Sequence, residues 1–228
     1  MSDDTHIRRL GAATVVRWTT RAEGDLRPGP SGEPGVLESV ARRPVAWSRQ
    51  VHGAGVAVVA GPGSVGPADA LVTTRPGLAL AVFTADCAPV VLSGGDDRGQ
   101  DRVVAAVHAG WRGLVAGVVE AAVDQVRQLG ATAVVARLGP CIHPGCYPFG
   151  AEDLASVVDH FGGAVATTTA DGRPALDVPA AVRIAVQRAG AVLVGESATC
   201  TSCAAAECFS HRARGDDGRH ATLVWRDG

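Results

Sequence analysis

The sequence predicts one α/β domain, and three observations lead there. Short apolar runs of strand length alternate with longer amphipathic patterns. The helical patterns carry their own start and stop residues. No composition break or fixed repeat divides the 228 residues.

Taken in order, residues 22–37, "AEGDLRPGPSGEPGVL", are rich in Gly, Pro and charge and predict an exposed loop. The alternation begins at Val45. "LALAVFTAD" (78–86) and "PVVLS" (89–93) predict strands broken at Cys87, "GGDDRGQD" a turn, and "RVVAAVH" (102–108) a further strand. In "GLVAGVVEAAVDQVRQLG", Leu114, Val118, Ala122 and Val126 share a face and Gly130 supplies a stop, which predicts one amphipathic helix. "AVVARLG" (133–139) predicts another strand. "AEDLASVVDHFG" predicts a short helix with acids in its first turn and Leu154, Val157, Val158 and Phe161 on one side. "LDVPAAVRIAVQRAG" predicts a third helix, capped by Asp177, with Pro179 in the first turn and Gly190 at the end. "AVLVG" and "ATLVWRD" close the chain as strands.

Composition narrows the function. A hydrophobic fraction of 46% supports a real core, and only 4% aromatics means that Val, Ala and Leu build it. A net charge of −2 without a block of basic residues argues against a nucleic-acid surface and favours a small-molecule ligand. The opening "MSDDTHIRRLGAATVVRW" has no apolar signal core, and no run reaches membrane-spanning length. The expected location is the cytoplasm, with the six cysteines as thiols.

Polar residues mark three places where apolar runs end. These are His52 in "SRQVHGAGV", Asp86 and Cys87 in "FTADCAPVV", and His108 in "AAVHAGWRG". Rigid strands present catalytic groups at such ends. His52, Cys87 and His108 make a candidate three-ligand zinc set with a fourth position open. Taken singly, each His also fits a hydrogen-bonded residue and Cys87 a small buried hydrophobe. Gly110 and Gly113 flank Trp111 and Arg112 where strand turns to helix, so Arg112 is a candidate anion clamp or a solvated surface charge. Cys200, Cys203, Cys208 and His211 form a C-x2-C-x4-C-x2-H run open to a second metal or to a plain thiol cluster.

With "QVHG", "TADCAPVVL", "HAGWRGL", "LGPCIHPGCYPFG" and "TCTSC…CFSHRARGDDGR" in this order, the chain resembles the laccase-domain family, also described as multicopper polyphenol oxidases, purine nucleoside phosphorylases and peptidoglycan editing factors. The match spans about residues 45–227, leaving 1–44 as a variable N-terminal segment of a single domain spanning 1–228. The resemblance implies mixed β-sheets covered by helices in a cysteine-hydrolase-like architecture. It also implies one zinc on His52, Cys87 and His108, with copper as a possible substitute. Departures occur at Pro148 and Phe149, where the family usually has an acid and Val, and in "FSHRAR", where one arginine is displaced.

The implied chemistry is phosphorolysis of adenosine, inosine, guanosine and methylthioadenosine, together with hydrolytic deamination of adenosine. Asp86 is the nearest carboxylate in sequence to Cys87; it is a candidate proton carrier or, preferably, the group that orients a ligand His. Arg112, Arg49 and Arg183 are phosphate candidates, Arg112 first. A rival reading makes Cys87 the nucleophile of a hydrolase or amidase acting on peptidoglycan precursors, with His108 or His52 as base. A multicopper oxidase is disfavoured, because the chain has seven His, no His-x-His pair and no internal Met. A non-catalytic zinc protein would need a fourth ligand, for which His143 is the best and a poor candidate. The expected partners are purine nucleosides and phosphate, with no nucleic acid or membrane, and a homodimer is possible.

Overall fold

The computed structural model describes residues 7–29 and 36–228. The loop expected at 22–37 lies partly outside the described residues, and His6 lies outside them. Strands β1 (Ile7–Arg9), β2 (Thr14–Trp18), β3 (Val45–Arg49), β5 (Gly63–Pro67), β7 (Ala79–Thr84) and β14 (His220–Arg226) form one sheet, in the order β1-β2-β14-β7-β3-β5. Strands β4 (Val56–Val58), β6 (Ala70–Thr73), β8 (Ala88–Gly95), β9 (Asp101–Ala109), β10 (Ala133–Leu138) and β13 (Val192–Glu196) form the other, in the order β13-β10-β8-β9-β6-β4. Each sheet mixes parallel and antiparallel pairs. A short ribbon pairs β11 (Ala166–Thr168) with β12 (Pro174–Leu176). The helices are α1 (Leu37–Ala41), α2 (Trp111–Val115), α3 (Val118–Gln128), α4 (Ala151–Phe161), α5 (Val178–Arg188) and α6 (His211–Arg214).

The two sheets stack face to face. Along β9, Val104 and Ala106 pack between the sheets with Leu80, Val82 and Val224. The alternate residues Val103, Ala105 and Val107 pack into a second core with Val119, Val123 and Val126 of α3 and with α5. Leu37 and Ala41 of α1 cover the outer face of the first sheet against Ala79, Ala81 and Trp225. Because β9 is buried on both faces, it reads as a continuous apolar run rather than an alternating one.

One sequence expectation changes. The single helix expected from Gly113 is two, because Gly117 adopts φ 83° in the left-handed region and breaks α2 from α3. The face containing Leu114, Val118, Ala122 and Val126 is buried even so. The N-terminal segment supplies β2, whose Val16 is fully buried beside β14. Asp177 caps α5 as expected, its carboxylate accepting the Ala180 amide at 2.8 Å.

Candidate metal centre and adjoining cleft

Residue alternation along β9 puts His108 on the face between the sheets, at the strand's last turn toward solvent. Asp69 directly precedes β6, and the antiparallel register sets it opposite His108. The His108 amide donates to the Asp69 carbonyl at 2.7 Å. The His108 Nδ1 lies 2.8 Å from Asp69 Oδ1. Asp69 also accepts the backbone amides of His52 at 2.9 Å and Gly53 at 2.8 Å. One buried acid therefore holds one imidazole directly and the backbone that carries the other. His52 needs that support, since its φ of 59° places a non-glycine residue in the left-handed region.

With Nδ1 donating to Asp69, His108 leaves Nε2 for Cys87, where without a metal it carries the imidazolium proton that a metal ion would displace. Cys87 sits at the junction of β7 and β8, its Sγ 4.0 Å from His52 Nε2. The potential ligand atoms of His52, Cys87 and His108 all lie within 4.8 Å of one another. The two imidazoles meet edge to face with centroids 4.7 Å apart. Gly110 floors the cluster: a Cβ there would stand 2.8 Å from His52 Cδ2 and 3.3 Å from Cys87 Sγ. That close approach explains the glycine in "HAGWRG".

Burial opposes ionisation of Cys87, but hydrogen bonding to His108 and then His52 outweighs it and brings the thiol down to about 6. Burial likewise disfavours imidazolium at His108, yet Asp69 and Cys87 together raise it to about 9. A thiolate and a fixed imidazole tautomer are what a divalent metal requires of such a donor set. The residues therefore fit a metal ion.

Asp86 does not orient a histidine. Its carboxylate accepts the Thr201 hydroxyl at 2.7 Å, the Ser210 hydroxyl at 2.6 Å and the Arg212 amide at 2.6 Å. It ties down the C-terminal segment instead, from a backbone at φ 99°. The role expected of Asp86 falls to Asp69, which sequence reading missed although "PADALV" shows the same polar residue at the edge of an apolar run.

A cleft of about 740 Å³ opens onto the cluster. Arg27, Arg49, Arg219 and His211 line it with Gln50, Phe83 and the three cluster residues, and no Asp or Glu appears among its described lining. Arg112 is not part of this lining; its guanidinium lies 4.2 Å from the centre of the Trp111 ring. Arg183 is paired with Glu196 at 2.9 Å. Of the C-terminal run, Cys200 and Cys203 come together with Cys146, whereas His211 faces the cleft.

Two imidazoles and a thiol within ligand distance, carried on strand ends, define a mixed α/β protein with a potential single-metal centre. The chain belongs to the multi-copper polyphenol oxidoreductase laccase family, whose model matches residues 36–227. It is 44% identical over 188 residues to a purine nucleoside phosphorylase of Streptomyces coelicolor, covering 80% of this chain and 75% of that protein. It is 40% identical over 182 residues to a purine nucleoside phosphorylase of Pseudomonas aeruginosa, covering 78% and 73%. The fold matches that of YlmD from Geobacillus stearothermophilus with a TM-score of 0.83 at 26% identity, covering 100% of this chain and 98% of that one. A Neisseria meningitidis protein matches with a TM-score of 0.81 at 27% identity, covering 99% and 100%. No helix among the described residues is long and apolar enough to cross a membrane.

Proposed function

We propose that the chain is a zinc-dependent purine nucleoside phosphorylase acting in the cytoplasm, with residues 1–228 as one domain. The carrying observation is the cleft itself: Arg27, Arg49 and Arg219 line it with no Asp or Glu in its described lining, and it opens onto the His–Cys–His cluster. Among the described residues Arg27 alone of the three pairs with an acid, Asp25. His52, Cys87 and His108 hold the ion, and Asp69 orients His108. A zinc ion there supplies a Lewis acid at the cleft floor. Arg49 and Arg219, neither with an ion pair among the described residues and the Arg219 guanidinium bonding backbone carbonyls there, bind the phosphate dianion. Phosphate oxygen attacks the anomeric carbon of the ribose, and the glycosidic carbon–nitrogen bond breaks toward the purine. His211 supplies the proton that the departing base takes up.

Deamination of adenosine is the minor activity in this reading. Zinc deaminases move the proton on a carboxylate. Asp69 and Asp86 are both buried and engaged with other donors. The cysteine-hydrolase reading also has an observation behind it, since Cys87, His108 and Asp69 line up as nucleophile, base and orienting acid. It leaves His52 without a task, although Asp69 holds the His52 backbone in a strained conformation beside Cys87. A three-ligand metal site uses all four residues.

Purified protein supplied with inosine or adenosine tests this. The expected result is free base and ribose 1-phosphate, formed only with phosphate, abolished by chelation and restored by zinc. Base release without phosphate, or activity that resists chelation but falls to thiol alkylation, would overturn it in favour of Cys87 as nucleophile.

A further inference from the structure

Cys146, Cys200 and Cys203 form a second sulfur cluster that the cleft chemistry leaves unused. Their sulfurs lie within 4.8 Å of one another, with those of Cys146 and Cys203 3.3 Å apart. We propose that this cluster is a second metal site, holding a thiophilic ion of the zinc class on three thiolates and fastening the C-terminal segment to the cleft wall.

The geometry supports it at several points. Zinc–sulfur bonds of about 2.3 Å set tetrahedral sulfurs about 3.8 Å apart, so the cluster needs only a small opening to admit an ion. Cys200 and Cys203 have the C-x2-C spacing of a zinc-binding turn, and the turn is formed: the amides of Cys203 and Ala204 donate to the Cys200 carbonyl at 3.1 and 2.9 Å. The Cys200 sulfur already has a donor aimed at it, the His143 amide at 3.4 Å. A neutral thiol is a weak acceptor and gains little from such an N–H group, whereas a metal-bound thiolate is held and tuned by it.

Two residues of the run read from sequence, Cys200 and Cys203, lie in this cluster. Cys208 is buried elsewhere and His211 faces the cleft, so the third sulfur comes from the distant 3-10 turn Pro144–Cys146. The two segments are registered by the Thr201 amide, which donates to the Cys141 carbonyl at 3.1 Å. Thr201 in turn donates its hydroxyl to Asp86, the neighbour of Cys87. An ion on Cys146, Cys200 and Cys203 therefore clamps the segment that carries Thr201, Ser210 and His211. Cys203 is exposed, which leaves the fourth position to solvent.

The test reads metal stoichiometry, so it stands apart from nucleoside turnover. Protein stripped by chelator under a thiol-free reductant is refilled with Co2+ and then Zn2+. Wild type is expected to take about two ions per chain and Cys87→Ser about one, which keeps a sulfur-to-cobalt charge-transfer band. Adding Cys203→Ser to Cys87→Ser should abolish that band. Cys203→Ser alone, at an exposed position, should lose one ion and part of the zinc-induced rise in Tm. Cys146→Ser should repeat the loss. Unchanged stoichiometry in Cys203→Ser would overturn the proposal. So would a Cys146–Cys203 disulfide, seen as a mass two hydrogens lower, forming in preference to metal when zinc is present.

Discussion

Asp69 and His108 face each other across β6 and β9, carboxylate to imidazole at 2.8 Å, in a register that also pairs their backbones. The same acid bonds the amides of His52 and Gly53. Asp69→Asn removes the charge that fixes the His108 tautomer while keeping the side chain's size. Zinc affinity should fall by about 10–100-fold, the usual cost of losing such a partner. Competition with a chromophoric chelator measures it, with circular dichroism to confirm the fold. Unchanged affinity would remove Asp69 from the design of the site.

Gly110 lies against both His52 and Cys87, so Gly110→Ala presses a methyl group into the cluster. Overpacking of this kind costs about 1–3 kcal/mol. The strain falls on the ligands rather than on the cores, so metal content and turnover should drop together while the unfolding transition stays cooperative. Metal analysis beside a thermal melt checks this. A variant that binds zinc normally would show that the cluster can move aside.

The metal-free protein should show an unusual pH dependence. Cys87 is held at about 6 and His108 at about 9. A depressed acid contributes stability that is lost as pH falls through its folded value; a raised base contributes stability that is lost as pH rises through its own. Their ion pair therefore favours the folded state between about 6 and about 9 and weakens on either side. Iodoacetamide alkylation of Cys87 should accordingly rise through pH 6 and level off, where an ordinary thiol is still rising near 8.5. Zinc should suppress the reaction. An inflection near the ordinary thiol value would contradict the arrangement of the two groups.

In the proposed reading Arg49, which lines the cleft, meets the phosphate and Arg112, outside its described lining, does not. Arg49→Ala should raise KM for phosphate about tenfold, the loss of one charge-assisted contact, with little change in KM for nucleoside. Arg112→Ala should leave both constants near wild type, because Arg112 rests on Trp111 outside the described lining of the cleft. Steady-state kinetics with phosphate varied separates the two. The reverse pattern would restore Arg112 as the anion clamp.

What was readable in the sequence followed from local physics. β7, β8, β9 and β10 are apolar runs whose ends are marked by polar residues, and the α5 cap is a short-range hydrogen bond. His52, Cys87 and His108 were found because each interrupts an apolar run. Asp69 was missed for a different reason. Its importance comes from register between β6 and β9, a long-range relation that no window of sequence contains. Asp86 was misplaced in role because closeness in the chain was taken for closeness in space. Arg112 ranks above Arg49 in the sequence because a helix start suggests an anion site, whereas the cleft's described lining includes Arg49 and not Arg112. Cys146 could not be joined to Cys200 and Cys203 without the fold, since 53 residues separate it from the nearer of the two.

Asp86 separates a positioning role from a proton-carrying one. Its carboxylate receives two hydroxyls and one amide from residues 201, 210 and 212. Ser210 also caps α6, its hydroxyl oxygen accepting the Ala213 amide at 3.2 Å. Asp86→Ala strands those donors at a cost of about 3 kcal/mol, or roughly 6–12 °C in Tm for a domain of this size. The C-terminal segment then loosens, and His211 loses its place in the cleft. Stability and kcat should decline together, and proteolysis should cut near residues 204–216 first. Asp86→Asn keeps an acceptor for the hydroxyls and should recover part of both. If instead Asp86 carried a proton, Asp86→Asn would lose kcat by orders of magnitude while its melting temperature stayed at that of wild type. Paired melts and turnover on the two variants decide which role Asp86 has.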